Sequence, residues 1–279
     1  MFDIGRNAKL QVVKTVEFGL YLDADNFGEV LLPKRYVPEG AQPGDWLDVF
    51  LYRDSEDIVI ATTEKPFVQV GECAHLKVVE VNDYGAFLGW GLAKDLFVPF
   101  REQRVPMEPG RSYTVCVFED NTGRICASSK LSLYLGEKNE GVFAVGEQVN
   151  LMIASRSPMG FKAIINGAYL GLIHNNDVLG KLIPGQKMTG YIKKIREDDS
   201  IDLTMQQPGE GRKSDLAEQI LIDLAKAGGT STLTDKSPPE EIFQWYQVSK
   251  ANYKKALGQL YKEKKILIED GRIILTARK

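Results

Sequence analysis

Histidine, cysteine and long apolar runs are all scarce in this chain. Only two histidines are present, His75 and His174. There is no P-loop, nucleophile elbow or H-E-x-x-H spacing. The usual phosphoryl-transfer, nucleophilic and zinc chemistries therefore lack their residues, and neither an enzyme nor a metal or cofactor site is expected. The carboxylates Asp198 and Asp199 fall in an expected turn. Three cysteines, Cys73, Cys116 and Cys126, are an odd number without metal-ligand spacing. They argue against a disulfide framework or structural zinc and for a reducing compartment. No apolar run approaches the roughly 20 residues of a membrane helix. Met1-Phe2-Asp3-Ile4-Gly5 lacks the basic and apolar regions of a secretion signal. A cytoplasmic location with no membrane partner is the expectation. An excess of charge is missing too: 35 Lys/Arg stand against 38 Asp/Glu, net −3. Any surface for nucleic acid must be local.

What is present is enough apolar material for several packed cores: 43% of 279 residues, with 26% charged. The 26 glycines and 12 prolines, set among Val, Ile, Tyr and Phe, indicate many short strands and turns.

An internal repeat organises most of the chain. Gly19, Gly85 and Gly160 each sit in a similar strand-like stretch. Thirteen residues on come Leu32-Pro33, Val98-Pro99 and Ile173-His174, and the glycines of Pro43-Gly44, Pro109-Gly110 and Pro184-Gly185 lie 25 residues on in all three copies. An alternating strand follows each Pro-Gly turn, and a second β-rich run closes each copy. The copies span about 1–64, 65–134 and 145–207, with about five strands each and no long amphipathic helix. Such a unit fits a small closed barrel of the OB type, because closure removes exposed edges.

Residues 206–214 read as a linker, and the pattern then changes. A helix is expected from about Ser214 to Ala227, stopped by Gly228-Gly229. A second starts at Ser237-Pro238-Pro239-Glu240-Glu241, with Pro in the first turn and acids at the positive dipole end. Ser249 caps a third that runs to about Lys264. Asp270-Gly271 joins two apolar runs as a hairpin. Residues 212–279 thus spell a winged helix-turn-helix. The fold class is mainly β with a C-terminal α+β domain.

Residues flanking the repeated glycines carry the candidate chemistry. Positions −1 and +2 hold Phe18/Tyr21, Tyr84/Phe87 and Met159/Lys162. Strict alternation puts −1 and +2 on opposite faces. A glycine with positive φ at a bulge could bring them to one face. Paired aromatics of this kind suit base stacking, worth about 1–3 kcal/mol per base.

The pattern aromatic-Gly-x-aromatic followed by two apolar residues and His resembles the S1 RNA-binding domain. The resemblance implies that the aromatics and the following His, with nearby basic residues, contact single-stranded RNA. The first copy carries Phe18 and Tyr21 but has Pro33 at the His position. The second carries Tyr84 and Phe87 but has Pro99. The third keeps His174, has Met159 and Lys162 in place of the aromatics, and has Phe161 shifted by one. Three S1-like units followed by a winged helix resemble the CvfB (conserved virulence factor B, YitL-like) family, most specifically over Ser249 to Lys262. That resemblance implies RNA binding and post-transcriptional action on gene expression.

Charge separates the units independently. Residues 1–64 carry a net −6, 65–133 are neutral, 146–207 are +1 and 212–279 are +4. Phosphate attraction dominates nucleic-acid affinity. The first unit is therefore expected to be structural or to dock a protein partner. Arg101 and Arg104 in the second unit, and Lys162, Lys193, Lys194 and Arg196 in the third, are candidate phosphate contacts. On the third helix of the last domain, Tyr253, Ala256, Leu257, Leu260 and Tyr261 form an expected core stripe. Lys254, Lys255, Lys262 and Lys265 share the other side with Ala251 and Gly258. That lysine face suits phosphates and carries no base readout. The combined expectation is a non-catalytic binder of single-stranded RNA. The alternative is a DNA-binding transcriptional regulator that places its winged helix on a duplex.

Overall fold

The computed structural model describes residues 2–54, 56–206, 213–246 and 248–276. The chain divides into two compact units, Met1–Leu135 and Gly136–Lys279. The first unit holds two closed five-stranded barrels, and the second holds a third barrel and a helical domain with a three-stranded sheet.

The first barrel is built from β1 (Asn7–Val16), β2 (Gly19–Asp23), β3 (Glu29–Pro33), β4 (Trp46–Arg53) and β5 (Val59–Thr62), in the order β1-β2-β3-β5-β4. The second uses β6 (Cys73–Val81), β7 (Gly85–Gly89), β8 (Leu96–Pro99), β9 (Ser112–Glu119) and β10 (Ile125–Ser128) in the same cyclic order. In the second unit, β11 (Gln148–Ser157), β12 (Gly160–Ile165), β13 (Tyr169–His174), β14 (Lys187–Ile195) and β15 (Ile201–Thr204) repeat it. Each barrel closes through a parallel pairing of its third and fifth strands. The third and fifth strands of a copy thus become neighbours although a hairpin does not join them.

In the first unit, β4 is buried on both faces. Val49 and Leu51 point into the first barrel's core with Leu10, Leu22 and Leu32. Phe50 and Tyr52 point outward, and with Ile60 they pack into the core of the second barrel beside Trp90. The rings of Phe50 and Trp90 meet edge to face, 5.7 Å apart. Burying each such ring is worth about 2–3 kcal/mol. Around this apolar contact, Arg53 Nε donates to the Gly123 carbonyl at 3.0 Å, and Lys94 Nζ donates to the Asp54 carbonyl at 2.8 Å. Arg124 holds the Asp57 carboxylate through Nε at 3.1 Å.

The expectation of unpaired cysteines is corrected. Cys73 on β6 and Cys116 on β9 are directly opposite in register and are joined as a disulfide. Their sequence separation of 43 hides the pairing from local spacing, because it is made only when the barrel closes. Cys126 is free and buried. Burial, with Asp120 beside it, pushes its thiol up to about 11.

The C-terminal domain runs α1 (Lys213–Lys226), β16 (Thr230–Ser231), α2 (Pro239–Tyr246), α3 (Lys250–Lys262), β17 (Ile266–Glu269) and β18 (Arg272–Leu275). The sheet order is β16-β18-β17. Ser249 caps α3 by accepting from the Asn252 amide at 3.3 Å. Leu216, Ile220 and Leu224 of α1 pack on Tyr253, Ala256, Leu257 and Leu260 of α3. Tyr253 Oη donates to the Leu233 carbonyl at 2.9 Å. Tyr261, placed by periodicity in the core stripe, is instead 53% exposed at its margin. No helix among the described residues is long and apolar enough to cross a membrane.

Candidate nucleic-acid interface

The repeated glycine owes its place to a close cross-strand approach. Gly19, Gly85 and Gly160 open β2, β7 and β12 with φ of 156°, 158° and 152°. A Cβ on them would lie 2.1, 2.3 and 2.0 Å from the carbonyl oxygens of Leu32, Val98 and Ile173. No side chain fits there. The expected bulge exists, but in the preceding strand: register shifts fall between Val12 and Lys14, Val78 and Glu80, and Ile153 and Ser155. The −1 residues Phe18, Tyr84 and Met159 therefore stand in the hairpin turn ahead of the glycine, exposed. The +2 residues Tyr21, Phe87 and Lys162 stand in the strand, half-buried.

Outward side chains at one register level share a face. In each barrel one such row crosses four strands, and its composition differs sharply.

In the first barrel the row is Tyr21, Leu31, Ile60 and Tyr52. Phe18 is 56% exposed, and its ring meets Tyr21 edge to face at 6.4 Å. Lys14 lies over the Tyr21 ring at 4.8 Å. The far end, Ile60 and Tyr52, is covered by the second barrel. Burial and the neighbouring Tyr36 push the Tyr52 phenol far above its ordinary value.

In the second barrel the row is Phe87, Phe97, Cys126 and Phe118. The rings of Phe87 and Phe97 lie 5.1 Å apart at 34°. Phe118 continues onto Tyr134 at 4.9 Å and 32°. Tyr84 is 76% exposed, and its turn is held by Asn82 Oδ1 accepting from the Tyr84 amide at 2.9 Å. Arg101 and Arg104 are both exposed just after β8. Phe97, Phe118 and Tyr134 were not singled out from the sequence. Phe97 stands opposite Phe87 in the antiparallel β7–β8 pair, whereas Phe118, and Tyr134 stacked on it, reach the row only through the parallel β8–β10 pairing, which leaves no local signal.

In the third barrel the row is Lys162, Leu172, Asp202 and Lys194. Asp202 is buried yet charged. Burial opposes its ionisation, but hydrogen bonds from Arg196 and His174 outweigh that and hold the carboxyl below its ordinary value. His174 Nε2 lies 2.9 Å from Asp202 Oδ1, and Arg196 Nε lies 3.0 Å from both carboxylate oxygens. Lys193 is paired with the buried Asp177 at 2.5 Å, while Lys194 is exposed. Lys162 lies 3.9 Å from Glu137. Phe161 does not join this face. It sits one residue out of phase, packs against the barrel core, and has the Arg156 guanidinium 6.0 Å from its ring centroid.

On α3, Lys254, Lys255 and Lys262 are exposed as expected, whereas Lys265, expected on the same helix face, lies past the helix end in the turn before β17, also exposed. Lys254 pairs with Asp235 at 3.7 Å and Lys265 with Glu263 at 2.7 Å. Exposed pairs of this kind are worth at most about 1 kcal/mol, so a phosphate can displace them. Lys255, Gly258, Gln259, Lys262 and Glu263 line a shallow depression of about 560 Å³. The space over Gly258 is open.

Barrels with outward rings and cations, joined in one chain to a winged helix, define a nucleic-acid-binding protein. Residues 4–64 and 70–130 match the S1 domain family, and 218–275 match the CvfB-like winged helix domain. The first two barrels are thus S1 domains, and the last domain belongs to the CvfB-like winged helices. YitL of Bacillus subtilis is 27% identical over 96% of this chain and 92% of its own. Conserved virulence factor B of Staphylococcus saprophyticus is 24% identical over 85% of this chain and 82% of its own. A Streptococcus pneumoniae structure described as a multidomain protein with nucleic acid binding domains aligns over 98% of both chains, at 21% identity and a TM-score of 0.41.

Proposed function

We propose that this chain is a non-catalytic binder of single-stranded RNA that regulates gene expression after transcription, in the cytoplasm. The observation that carries the reading is the ring surface of the second barrel. Tyr84 stands 76% exposed in the turn that leads into β7, the strand that carries Phe87 opposite Phe97, and Arg101 and Arg104 follow β8. Unpaired bases stack on such rings, whereas a duplex keeps its base faces occupied. The third barrel and α3 supply cations for the backbone. Several weak modules on one chain raise overall affinity through effective concentration. The acidic first barrel, its row half covered by its neighbour, serves as a support or a protein dock.

The test is a fluorescence-anisotropy titration of single-stranded RNA with the full chain. Tyr84→Ala with Phe87→Ala is expected to weaken binding about tenfold or more. Unchanged affinity would overturn the reading. A second reading, duplex DNA on α3, draws on the exposed lysines around Gly258. Competition between single-stranded RNA and duplex DNA for the labelled complex separates the two.

A further inference from the structure

In every barrel the first and fourth strands pair along one seam, and the same cross-strand pair stands at its end. It is Asn7 opposite Phe50 in the first, Cys73 opposite Cys116 in the second and Gln148 opposite Tyr191 in the third. The second barrel alone joins the two residues covalently. The other two close in the same strand order without such a bond. The disulfide is therefore an addition to a seam that closes without one in both other copies. Its position links it to two neighbours. Upstream of Cys73, Gly71 and Glu72 extend the seam: the Gly71 amide donates to the Val117 carbonyl at 2.8 Å, and the Val117 amide to the Glu72 carbonyl at 2.9 Å. The Val70 amide then donates to the carbonyl of Gly5, just ahead of β1, at 2.9 Å. Along β9, Val115 and Val117 face the core, so Cys116 and Phe118 share the outer face. The bond is thus anchored two residues from the ring row.

Cys116 is 2% exposed, whereas Cys73 is half-buried, so Cys73 presents the sulfur that a small thiol can reach. In a cytoplasm small thiols keep cysteines reduced, and disulfides there are as a rule transient. We infer that Cys73 and Cys116 form a reversible redox clasp, opened by a low-molecular-weight thiol at Cys73, and that opening it lowers the RNA affinity of the second barrel. The inference rests on the reading of a cytoplasmic RNA binder and adds its regulation. In the opening step the thiolate of the small molecule attacks Cys73 Sγ. The S–S bond breaks, and Cys116 leaves as a thiolate and takes up a proton. A second small thiol attacks the mixed disulfide, Cys73 leaves as a thiolate and is protonated, and the small-molecule disulfide departs. Two electrons and two protons pass from the two thiols to the pair. The small-molecule disulfide re-forms the clasp by the reverse steps.

The experiment equilibrates the full chain in mixtures of reduced and oxidised glutathione. Free thiols are trapped with a maleimide after denaturation and counted by mass, and binding of single-stranded RNA is measured on the same samples. Both forms are expected within the glutathione range, one trapped thiol marking the closed clasp and three the open one. Opening should weaken RNA binding about fivefold. Re-oxidation of the same sample should restore it, which separates the effect from misfolding. Cys73→Ser with Cys116→Ser should hold the weaker affinity and lose the response to glutathione. A pair that stays joined in excess reduced glutathione overturns the inference, and so does one that never joins in excess oxidised glutathione. Equal RNA affinity of the two forms overturns it as well. These three results leave RNA binding itself standing. Failure to bind RNA in either form removes the functional reading and this inference together.

Discussion

The second and third barrels are built on one plan and end with opposite surfaces. Their strand order, their bulge ahead of the second strand and their opening glycine are the same. Their outward rows are not. One reads Phe87, Phe97, Cys126, Phe118, and the other reads Lys162, Leu172, Asp202, Lys194. The backbone decides where a row stands, and the residues decide what it can hold. Rings offer a stacking surface whose strength barely depends on salt. Lysines offer phosphate contacts whose strength depends on it steeply. One fold can therefore carry either a ring-lined surface or a cationic one.

The shared plan is the first thing to break. Gly85→Ala and Gly160→Ala each force a methyl group against a carbonyl oxygen, at 2.3 and 2.0 Å. Each is expected to cost about 3 kcal/mol in urea unfolding. A large loss in one barrel and none in the other would show that the two glycines do different jobs.

The division of labour is the second. Removing rings and removing lysines should leave different signatures in a salt titration. The double substitution of Tyr84 and Phe87 by Ala should lower affinity at every salt concentration and leave the slope of log K against log salt unchanged. Lys162→Ala with Lys194→Ala should make that slope shallower by about 1.4, about 0.7 per phosphate contact on a single strand. At high salt the lysine variant should approach the unmodified chain. Equal slopes in both variants would mean that the rows are not specialised.

How much of this could be read beforehand depends on whether a feature is local. The glycine offsets and Pro-Gly turns are local, and they placed three barrels and the −1 and +2 residues; the Ser237-to-Glu241 stretch and the Ser249 cap are local too, and they placed the helix starts at Pro239 and Lys250. What escaped depends on contacts made at closure. Phe118 enters the row only through the parallel pairing of β8 with β10, and Cys73 meets Cys116 only when β6 lies beside β9. Phe161 shows the converse error. Aromatic identity suggested the binding face, but a shift of one residue turns a strand side chain inward. Lys193 and Arg196 looked like free cations, yet each is bound to a carboxylate that lies later or earlier in the fold.

That last point yields the smallest of the expected effects, and it separates the third barrel from the second. Asp202 is buried on its row, and Arg196 and His174 hold its carboxyl below the ordinary value against the opposing effect of burial. The second barrel's Arg124 instead grips Asp57 in an exposed pair that also pulls that carboxyl down. A carboxyl whose value is lower in the folded chain stabilises it above the unfolded value, and the contribution disappears as pH falls through the folded one. Arg196→Ala should therefore destabilise the protein by about 1 kcal/mol at pH 7, a modest figure because the guanidinium is partly exposed. The gap between variant and parent should be full at neutral pH and narrow as pH falls through the ordinary carboxylate range, about 4, where Asp202 without Arg196 takes up its proton before the parent's does. Arg124→Ala should show a smaller gap at pH 7, because water screens its pair. Chemical unfolding of the two variants and the parent between pH 3 and 7 measures both gaps. A gap for Arg196→Ala that widens as pH falls would mean that Asp202 is not held in its charged form.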